Sequence, residues 1–371
     1  MSTVPSPHAT AAPGSKNGLT SAERFRMALT HQEPDRVPVH DSPWIATVDR
    51  WHDEGLPLHT PVEEYFGYEL CRFNCDVSPR FPIRILERND EYIVETTPYG
   101  GVRRNHRDRS TTPEIVSCPI HTREEWEQVK PRLTPSHTRV DWVTLRSEHE
   151  RATDEGKFKV FSSGVGYDHT QGYVRSEELL MAMVAEPAWV QDMFETHADL
   201  VIEMAKMLMD EGFQFDGAFM SNDMGYRNAS LFSPRTYRAL LFDVDRRLYD
   251  FFHAHDMPVL LHSCGCVKEL IPHLIEAGLD CLQPLEVKAG MDLIELKREY
   301  GQDLAFFGGI DVRAMADPDP STIEEEVRRK FEVAMPGGGY IYHSDHSVPN
   351  NVSFDQYRYV MELVAKYGRY A

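Results

Sequence analysis

The sequence lacks several features that would place it in common protein classes. No run of apolar residues approaches the ~20 residues that a membrane-spanning helix needs. Residues 2–18 are rich in Pro, Ser, Ala and Thr, and they lack the basic start and apolar core of a secretory signal. We therefore expect a soluble, cytoplasmic protein in which residues 1–18 form a disordered tail and residues 19–371 form a single domain.

Positive charge and cysteine are also scarce. The 39 Lys and Arg residues are outnumbered by 59 Asp and Glu residues, which gives a formal net charge of −20. Such an acidic surface repels phosphate backbones and anionic lipid head groups, so nucleic acid and membranes are poor partners. Six cysteines in 371 residues do not indicate a disulfide framework, and we expect free thiols that are available for metal or redox chemistry.

Three common catalytic or nucleotide-binding motifs are missing as well. The chain contains no Walker phosphate loop, no Rossmann glycine fingerprint and no nucleophile-elbow motif. Their absence argues against nucleotide-driven chemistry and against serine hydrolysis.

Short apolar segments alternate with amphipathic stretches from Lys157 onward. Strands are predicted at 158–161, 215–220, 258–261, 279–282, 304–307 and 339–342, and helices are predicted between and after them. Such alternation is typical of a parallel sheet covered by helices. About seven or eight such units favour a closed (β/α)8 TIM barrel over an open sheet.

The first part of the chain is expected to extend this barrel. Helices are predicted within 20–34, 44–51 and 62–66 from their capping residues and apolar spacing. Residues 37–40 are predicted to form the first barrel strand, and the alternation around residues 89–90 predicts a β-hairpin after it. The predicted fold class is thus an α/β TIM barrel with an N-terminal helical extension and a β-hairpin insertion.

Polar and metal-capable residues follow the predicted strands, at the end where such barrels place their active sites. His262 and Cys264 are the sharpest pair, because both are preferred zinc ligands and alternate residues of an extended segment point the same way. The alternative is a buried His beside an inert core Cys. For the third ligand we favour His346 after the last strand, with Asp345 as its rival, although both could merely cap and orient a loop.

Two carboxylates, Asp223 and Glu286, also follow predicted strands. They are candidates for proton transfer or for orienting an imidazole that binds the metal. The alternative is a structural carboxylate paired with a neighbour such as Arg227.

Several motifs together resemble the uroporphyrinogen decarboxylase superfamily. The resemblance covers nearly the whole chain after residue 20, through segments 21–25, 34–38, 232–234, 262–265, 270–272, 283–286, 308–311 and 345–349. One branch of that superfamily decarboxylates uroporphyrinogen without a cofactor, and the other contains zinc methyltransferases that exchange methyl groups between a corrinoid carrier and a thiol. The decarboxylases carry an arginine-rich motif after the first strand, whereas residues 40–44 of this chain contain no arginine.

The resemblance therefore favours the methyltransferase branch. The His-x-Cys zinc pair of that branch matches His262 and Cys264, whereas its later cysteine ligand is replaced here by Asp345 or His346. The implied activity is a zinc-dependent methyltransferase or demethylase that moves a methyl group between a small methylated compound or corrinoid and a thiol or similar acceptor. Its partners would be a small-molecule substrate and, if a corrinoid carries the methyl group, a corrinoid protein.

Two other functions stay open at this stage. The first is a metal-independent decarboxylase or other lyase that acts on a small carboxylic acid. The second is a module that binds a corrinoid or metabolite carrier without catalysis, which the clustering of ligands and carboxylates at strand ends disfavours.

Overall fold

The structure, a computed structural model, describes residues 18–107 and 112–371, so all of the predicted tail except Gly18 lies outside the described residues. The strands are β1 (Leu70–Asn74), β2 (Ile85–Arg88), β3 (Tyr92–Thr96), β4 (Val102–His106), β5 (Glu114–Ser117), β6 (Phe158–Gly164), β7 (Gly217–Ser221), β8 (Val259–His262), β9 (Cys281–Gln283), β10 (Ala305–Phe307) and β11 (Tyr340–Ile341). They form two separate sheets.

Fifteen α-helices accompany these strands in the described residues. They are α1 (Ser21–Leu29), α2 (Ile45–Glu54), α3 (Val62–Tyr65), α4 (Arg123–Val129), α5 (Trp142–Asp154), α6 (Gly166–Thr170), α7 (Ser176–Ala185), α8 (Pro187–Asp210), α9 (Pro234–Leu240), α10 (Phe242–His253), α11 (Ile271–Ala277), α12 (Leu293–Tyr300), α13 (Val312–Met315), α14 (Pro320–Ala334) and α15 (Phe354–Tyr367). Within the described ranges, no helix is both long and apolar enough to cross a membrane.

The larger sheet is parallel and curled, with the strand order β1-β6-β7-β8-β9-β10-β11. Helices connect its successive strands from β6 onward, as the alternating sequence pattern predicts. The fold is therefore α/β and TIM-barrel-like, and the parallel strands end together at one rim of the sheet.

The prediction of a closed eight-stranded barrel is wrong. This sheet has seven strands, and its edge strands β1 and β11 are not paired with each other. Residues 37–40, the predicted first strand, form only an isolated parallel bridge between Val39 and Tyr342. On the other side, the Glu69 N–H donates to the Val39 carbonyl at 2.9 Å. Pro38 has no N–H to donate, which limits the ladder that this segment can form.

The predicted hairpin around residues 89–90 is present as β2 and β3, but it is part of a larger insertion. The strands β2-β3-β4-β5 form a four-stranded antiparallel sheet between β1 and β6. The insertion follows β1, a strand that the sequence pattern does not reveal.

Alternate residues of the parallel strands point inward and form an apolar cluster inside the curled sheet. Its members include Leu70, Phe158, Val160, Phe219, Leu260, Cys281, Ala305, Phe307 and Ile341. Helix α1 covers the N-terminal end of this cluster, where the rings of Phe25 and Phe158 stack with centroids 4.9 Å apart. The N-terminal helical extension thus closes one end of the sheet, and the carboxyl ends of the strands lie at the other.

A buried ion-pair network fixes α1 against the sheet. Glu69 is 2% exposed and accepts hydrogen bonds from Arg24 at 2.5 Å, from Arg36 at 2.7 Å and from the Val39 N–H at 2.7 Å. Asp35 accepts two more from Arg24, at 2.7 and 2.9 Å. The charged residues of segments 21–25 and 34–38 therefore have a structural role.

Candidate functional site

Three metal-capable side chains meet at the carboxyl ends of β7 and β8. One donor atom from each of Asp223, His262 and Cys264 can be chosen so that all three atoms lie within 4.8 Å of one another. The Nε2 atom of His262 is 3.2 Å from the Cys264 Sγ and 3.4 Å from the Asp223 Oδ1. All three residues are half-buried, so a ligand can still reach them.

Close backbone packing between the loops after β7 and β8 brings Asp223 near His262 and Cys264. Gly265 has a φ of +74°, and a Cβ there would lie 2.5 Å from the carbonyl carbon of Gly225. An isolated antiparallel bridge joins Tyr226 to Cys266. Only glycine allows two backbones to come this close, so position 265, directly after Cys264, requires glycine.

Carboxylates also hold the loop that carries Cys264. The Cys264 N–H donates to the Asp223 Oδ1 at 2.8 Å, and the Gly265 N–H donates to the Glu286 Oε2 at 2.7 Å. Glu286 also forms an ion pair with Lys288 at 3.0 Å. Although burial acts to raise it, the hydrogen bonds from Lys288 and Gly265 lower the pKa of Glu286 below its ordinary value.

The ring of His262 is oriented by two residues whose role sequence reasoning missed. Its Nδ1 is hydrogen-bonded to the Gln283 Oε1. The Gln283 Nε2 lies 3.4 Å from the Nε2 of His343, and the His343 Nδ1 lies 2.7 Å from the Ser344 carbonyl. A carbonyl can only accept, so the His343 Nδ1 carries the proton and its Nε2 can accept from Gln283. The Gln283 oxygen then accepts from His262, whose Nε2 is left free to bind a metal.

Negative charge accumulates around the thiol of Cys264. Burial, together with the charges of Asp223, Glu286 and Asp168, raises the pKa of Cys264 well above its ordinary value. Burial and the charge of Asp223 also raise the pKa of Asp168 to about 7. A cation at this point would offset the repulsion and stabilise the thiolate.

Asp168 is a second residue that sequence reasoning missed. It lies in the short helix α6 after β6, and its N–H donates to the Asn222 Oδ1 at 3.1 Å. The signal was its position four residues after the strand end, but the surrounding pattern looked only helical.

The two predicted candidates for the third ligand are placed differently. Asp345 is 1% exposed, and its carboxylate accepts the N–H groups of Val287 at 2.9 Å and Val312 at 3.0 Å. Burial raises the pKa of Asp345 to about 6. His346 is half-buried, and burial lowers its pKa. Within the described residues, the 4.8 Å group contains neither of them, so His346 as a ligand stays a prediction.

The donor set has the chemistry of a zinc site. An imidazole nitrogen, a thiolate and a carboxylate oxygen are all zinc ligands, and three protein ligands leave the open position that catalytic zinc requires. The orienting contact to the far side of the His262 ring is the arrangement that metal-binding histidines generally have. The residues therefore fit a zinc ion.

The fold and the site together define a TIM-barrel-like protein with a His, Cys and carboxylate cluster at its strand ends. The family model for uroporphyrinogen decarboxylase (URO-D) matches residues 158–367, more than half of the chain and including every member of that cluster. The chain therefore belongs to the uroporphyrinogen decarboxylase family.

Comparison with single proteins gives more distant likenesses. A uroporphyrinogen decarboxylase of Bacillus cereus (strain AH820) is 28% identical over 191 residues. The match covers 50% of this chain, and this chain spans only 50% of that relative's length. A methyltransferase from Methanosarcina mazei shares the fold with a TM-score of 0.65 and 13% identity, over 94% of this chain and 99% of that one.

A B12-independent methionine synthase from Shewanella sp. W3-18-1, in complex with selenomethionine, matches with a TM-score of 0.40 and 12% identity. The match covers 76% of this chain and 72% of that one. This likeness is too low to bear on the fold.

Proposed function

We propose that this chain is a zinc-dependent methyltransferase or demethylase that moves a methyl group between a small methylated compound or corrinoid and a thiol or similar acceptor. The observation that carries the proposal is the approach of His262, Cys264 and Asp223 at the strand ends. Membership of the family and the fold shared with the Methanosarcina mazei methyltransferase support it.

The ligands that this proposal assigns follow from the contacts of each side chain. His262 offers its Nε2, because its Nδ1 is committed to Gln283. Cys264 offers its thiolate, and Asp223 offers a carboxylate oxygen, with His346 as the alternative third ligand. Bound zinc lowers the pKa of a coordinated thiol or water and thereby supplies a nucleophile near neutral pH.

Proton transfer is assigned to Asp168, a carboxylate beside the cluster. In the protein without bound metal, burial and the charge of Asp223 raise the pKa of Asp168 to about 7, so Asp168 is the candidate to hold a proton near neutral pH. Asp223 and Glu286, the residues predicted for this role, would then act through their charges and hydrogen bonds. Glu286 holds the loop at Gly265, and its lowered pKa favours the ionised form.

A methyl-transfer assay tests the proposal. Methylcobalamin with a deuterated methyl group is incubated with 2-mercaptoethanol and the full chain, and the labelled thioether is measured by mass spectrometry. We expect product from the wild type, loss of product in Cys264→Ser, and retention in Cys266→Ser, a matched control at a cysteine that lies outside the cluster.

The decarboxylase alternative makes the opposite forecast. It expects carbon dioxide from small carboxylic acids in the presence of excess chelator, and no labelled thioether. We also expect no useful turnover of uroporphyrinogen, because residues 40–44 contain no arginine to hold its carboxylates. Chelator-resistant decarboxylation at the rate of a metabolic enzyme would replace our proposal.

A further inference from the structure

The four-stranded insertion sheet, β2-β3-β4-β5, has two exposed edges. Every residue of its edge strands β2 and β5 is exposed. These residues include large apolar ones, because Ile85 of β2 is 56% exposed and Ile115 of β5 is 44% exposed. Apolar side chains on exposed edge strands favour contact with another chain. The insertion sheet is therefore a candidate interaction surface.

The register of the strands shows which side chains share the first face of this sheet. Opposite residues of an antiparallel pair point to the same side. Across the four strands, the residues opposite one another are Ile85, Glu95, Arg103 and Ile115, in that order. Arg103 donates twice to the Glu95 Oε1, at 2.8 and 2.6 Å. The first face thus carries a row with an ion pair at its centre and an isoleucine at each end.

This row is complementary to itself. A two-fold axis that runs along the strands, between β3 and β4, would lay a second copy of the sheet over the first with its row reversed. Ile85 would then face the partner's Ile115, and Glu95 would face the partner's Arg103. Sheets that pack face to face lie about 10 Å apart with their strands nearly aligned, as this axis requires. Symmetric dimers generally pair one surface patch with itself in this way.

The second face of the same sheet is not complementary to itself. Its row across the four strands is Glu87, Val94, Arg104 and Glu114, in that order. The same two-fold axis would lay Glu87 over the partner's Glu114, and like charges in that arrangement repel. Val94 would meet the partner's Arg104, which gains no opposite charge. The electrostatics therefore favour the first face.

The net charge of the insertion also favours contact between two copies at this place. The whole chain has a formal net charge of −20, so two copies repel each other over most of their surfaces. Residues 80–117 contain seven arginines against six acidic residues, which leaves this segment nearly neutral. Two copies can therefore approach through the insertion with little repulsion.

We propose that the first face of the insertion sheet binds the same face of a second copy of this chain. The interface covers the exposed isoleucines of both copies and brings their two ion pairs together into one alternating group of charges. A single sheet face is small beside the interfaces of permanent dimers, so the association is reversible and depends on concentration. The inference does not depend on the proposed function.

Sedimentation velocity of the full chain, with reductant and from micromolar to near-millimolar concentration, tests the inference. The wild type is compared with Glu95→Arg, Arg103→Glu and Ile85→Lys, which alter the first face. Arg104→Glu is the matched control, because it makes the same change of charge as Arg103→Glu at the next residue of β4 and also breaks an ion pair, with Glu114 on the second face. Circular dichroism checks that each variant is folded.

We expect the wild type to approach the mass of a dimer as its concentration rises. Each variant of the first face should raise the dissociation constant at least about 10-fold, because it places like charges, or a charge and an isoleucine, over each other. Arg104→Glu should leave the constant nearly unchanged. An equimolar mixture of Glu95→Arg and Arg103→Glu should form dimers again, since the two rows then carry opposite charges.

A protein that is monomeric at every concentration would overturn the inference. A dimer that the three variants of the first face leave unchanged, or that Arg104→Glu weakens equally, would overturn it as well. So would a mixture of the two folded charge variants that stays monomeric. If the charge variants do not fold, Ile85→Lys decides the question, because it replaces one exposed side chain and leaves the ion pair intact. Unchanged dimerisation of that variant overturns the inference, and weakened dimerisation supports it.

Discussion

In the proposed zinc site, three side chains are candidates for the third ligand. Asp345 is committed to two backbone N–H groups, which makes it a structural carboxylate that orders the loop before His346. Asp223 already has an oxygen 3.4 Å from the Nε2 of His262. His346 would have to approach the cluster for its imidazole to bind.

We expect Asp223→Asn to lose most of its zinc, because a neutral amide is a far weaker zinc ligand than a carboxylate. His346→Ala should retain its zinc, and Asp345→Asn should retain zinc but unfold more easily. Metal analysis after gel filtration measures occupancy in each variant. Loss of zinc only in His346→Ala would instead identify His346 as the third ligand, as the sequence predicts.

At the scale of elements, the sequence predicts most of the parallel sheet but not its two edges. The strands β6–β11 are apolar and bounded by turn residues, so their pattern is clear. The strand β1 was missed because its inward face carries Arg72, which breaks the apolar alternation. Segment 37–40 was predicted as a strand because its valines alternate, but the hydrogen bonds it makes depend on neighbours that are remote in sequence.

The residues of the candidate site could likewise be predicted from the sequence only in part. His262 and Cys264 could be predicted because both residues lie close together in the sequence and belong to one strand end. Gln283, His343 and Asp168 act through register between different strands and loops, which no local pattern reveals. The closeness of Asp223 to Cys264 likewise depends on two loops that pack backbone against backbone.

The junction between α1 and the sheet gives a stability prediction. Replacing Glu69 with Gln leaves Arg24 and Arg36 without their shared buried charge and should lower the free energy of unfolding by about 3–5 kcal/mol. Urea denaturation followed by circular dichroism measures the change, with the exposed Glu64→Gln as the control. Equal stability of the two variants would show that the network contributes little.

Helix α10 gives a pH-dependent prediction. Asp245 is 2% exposed and accepts a hydrogen bond from Tyr237 at 2.8 Å, and burial raises its pKa to about 7. The folded state therefore holds this proton more tightly than the unfolded state, in which the pKa is about 3.9. Stability is lost as the pH rises from about 4 to 7, by up to roughly 4 kcal/mol.

Asp245→Asn cannot ionise, and its amide oxygen can still accept from Tyr237. We expect its free energy of unfolding, relative to the wild type, to increase between pH 4 and pH 8. The exposed Asp250→Asn on the same helix should show no such change. A relative stability of Asp245→Asn that is independent of pH would show that Asp245 is already ionised in the folded protein at pH 4.

At the scale of the whole molecule, the two ends of the curled sheet have different roles. Helix α1 and its ion pairs cover the N-terminal end, whereas the metal-capable cluster lies at the carboxyl ends of the strands. Segment 37–40 lies between the two edge strands, where Val39 bridges Tyr342 and the Val39 carbonyl accepts the Glu69 N–H.

Zinc content is the most direct test of whether His262, Cys264 and Asp223 form a metal site. Full-length protein purified without chelators should contain about one zinc per chain by inductively coupled plasma mass spectrometry, as a single catalytic site requires. Cys264→Ser should contain little zinc, whereas Cys266→Ser, altered at a buried cysteine two residues away, should match the wild type. Negligible zinc in the wild type, or equal zinc in both cysteine variants, would contradict the assignment of this cluster as the metal site.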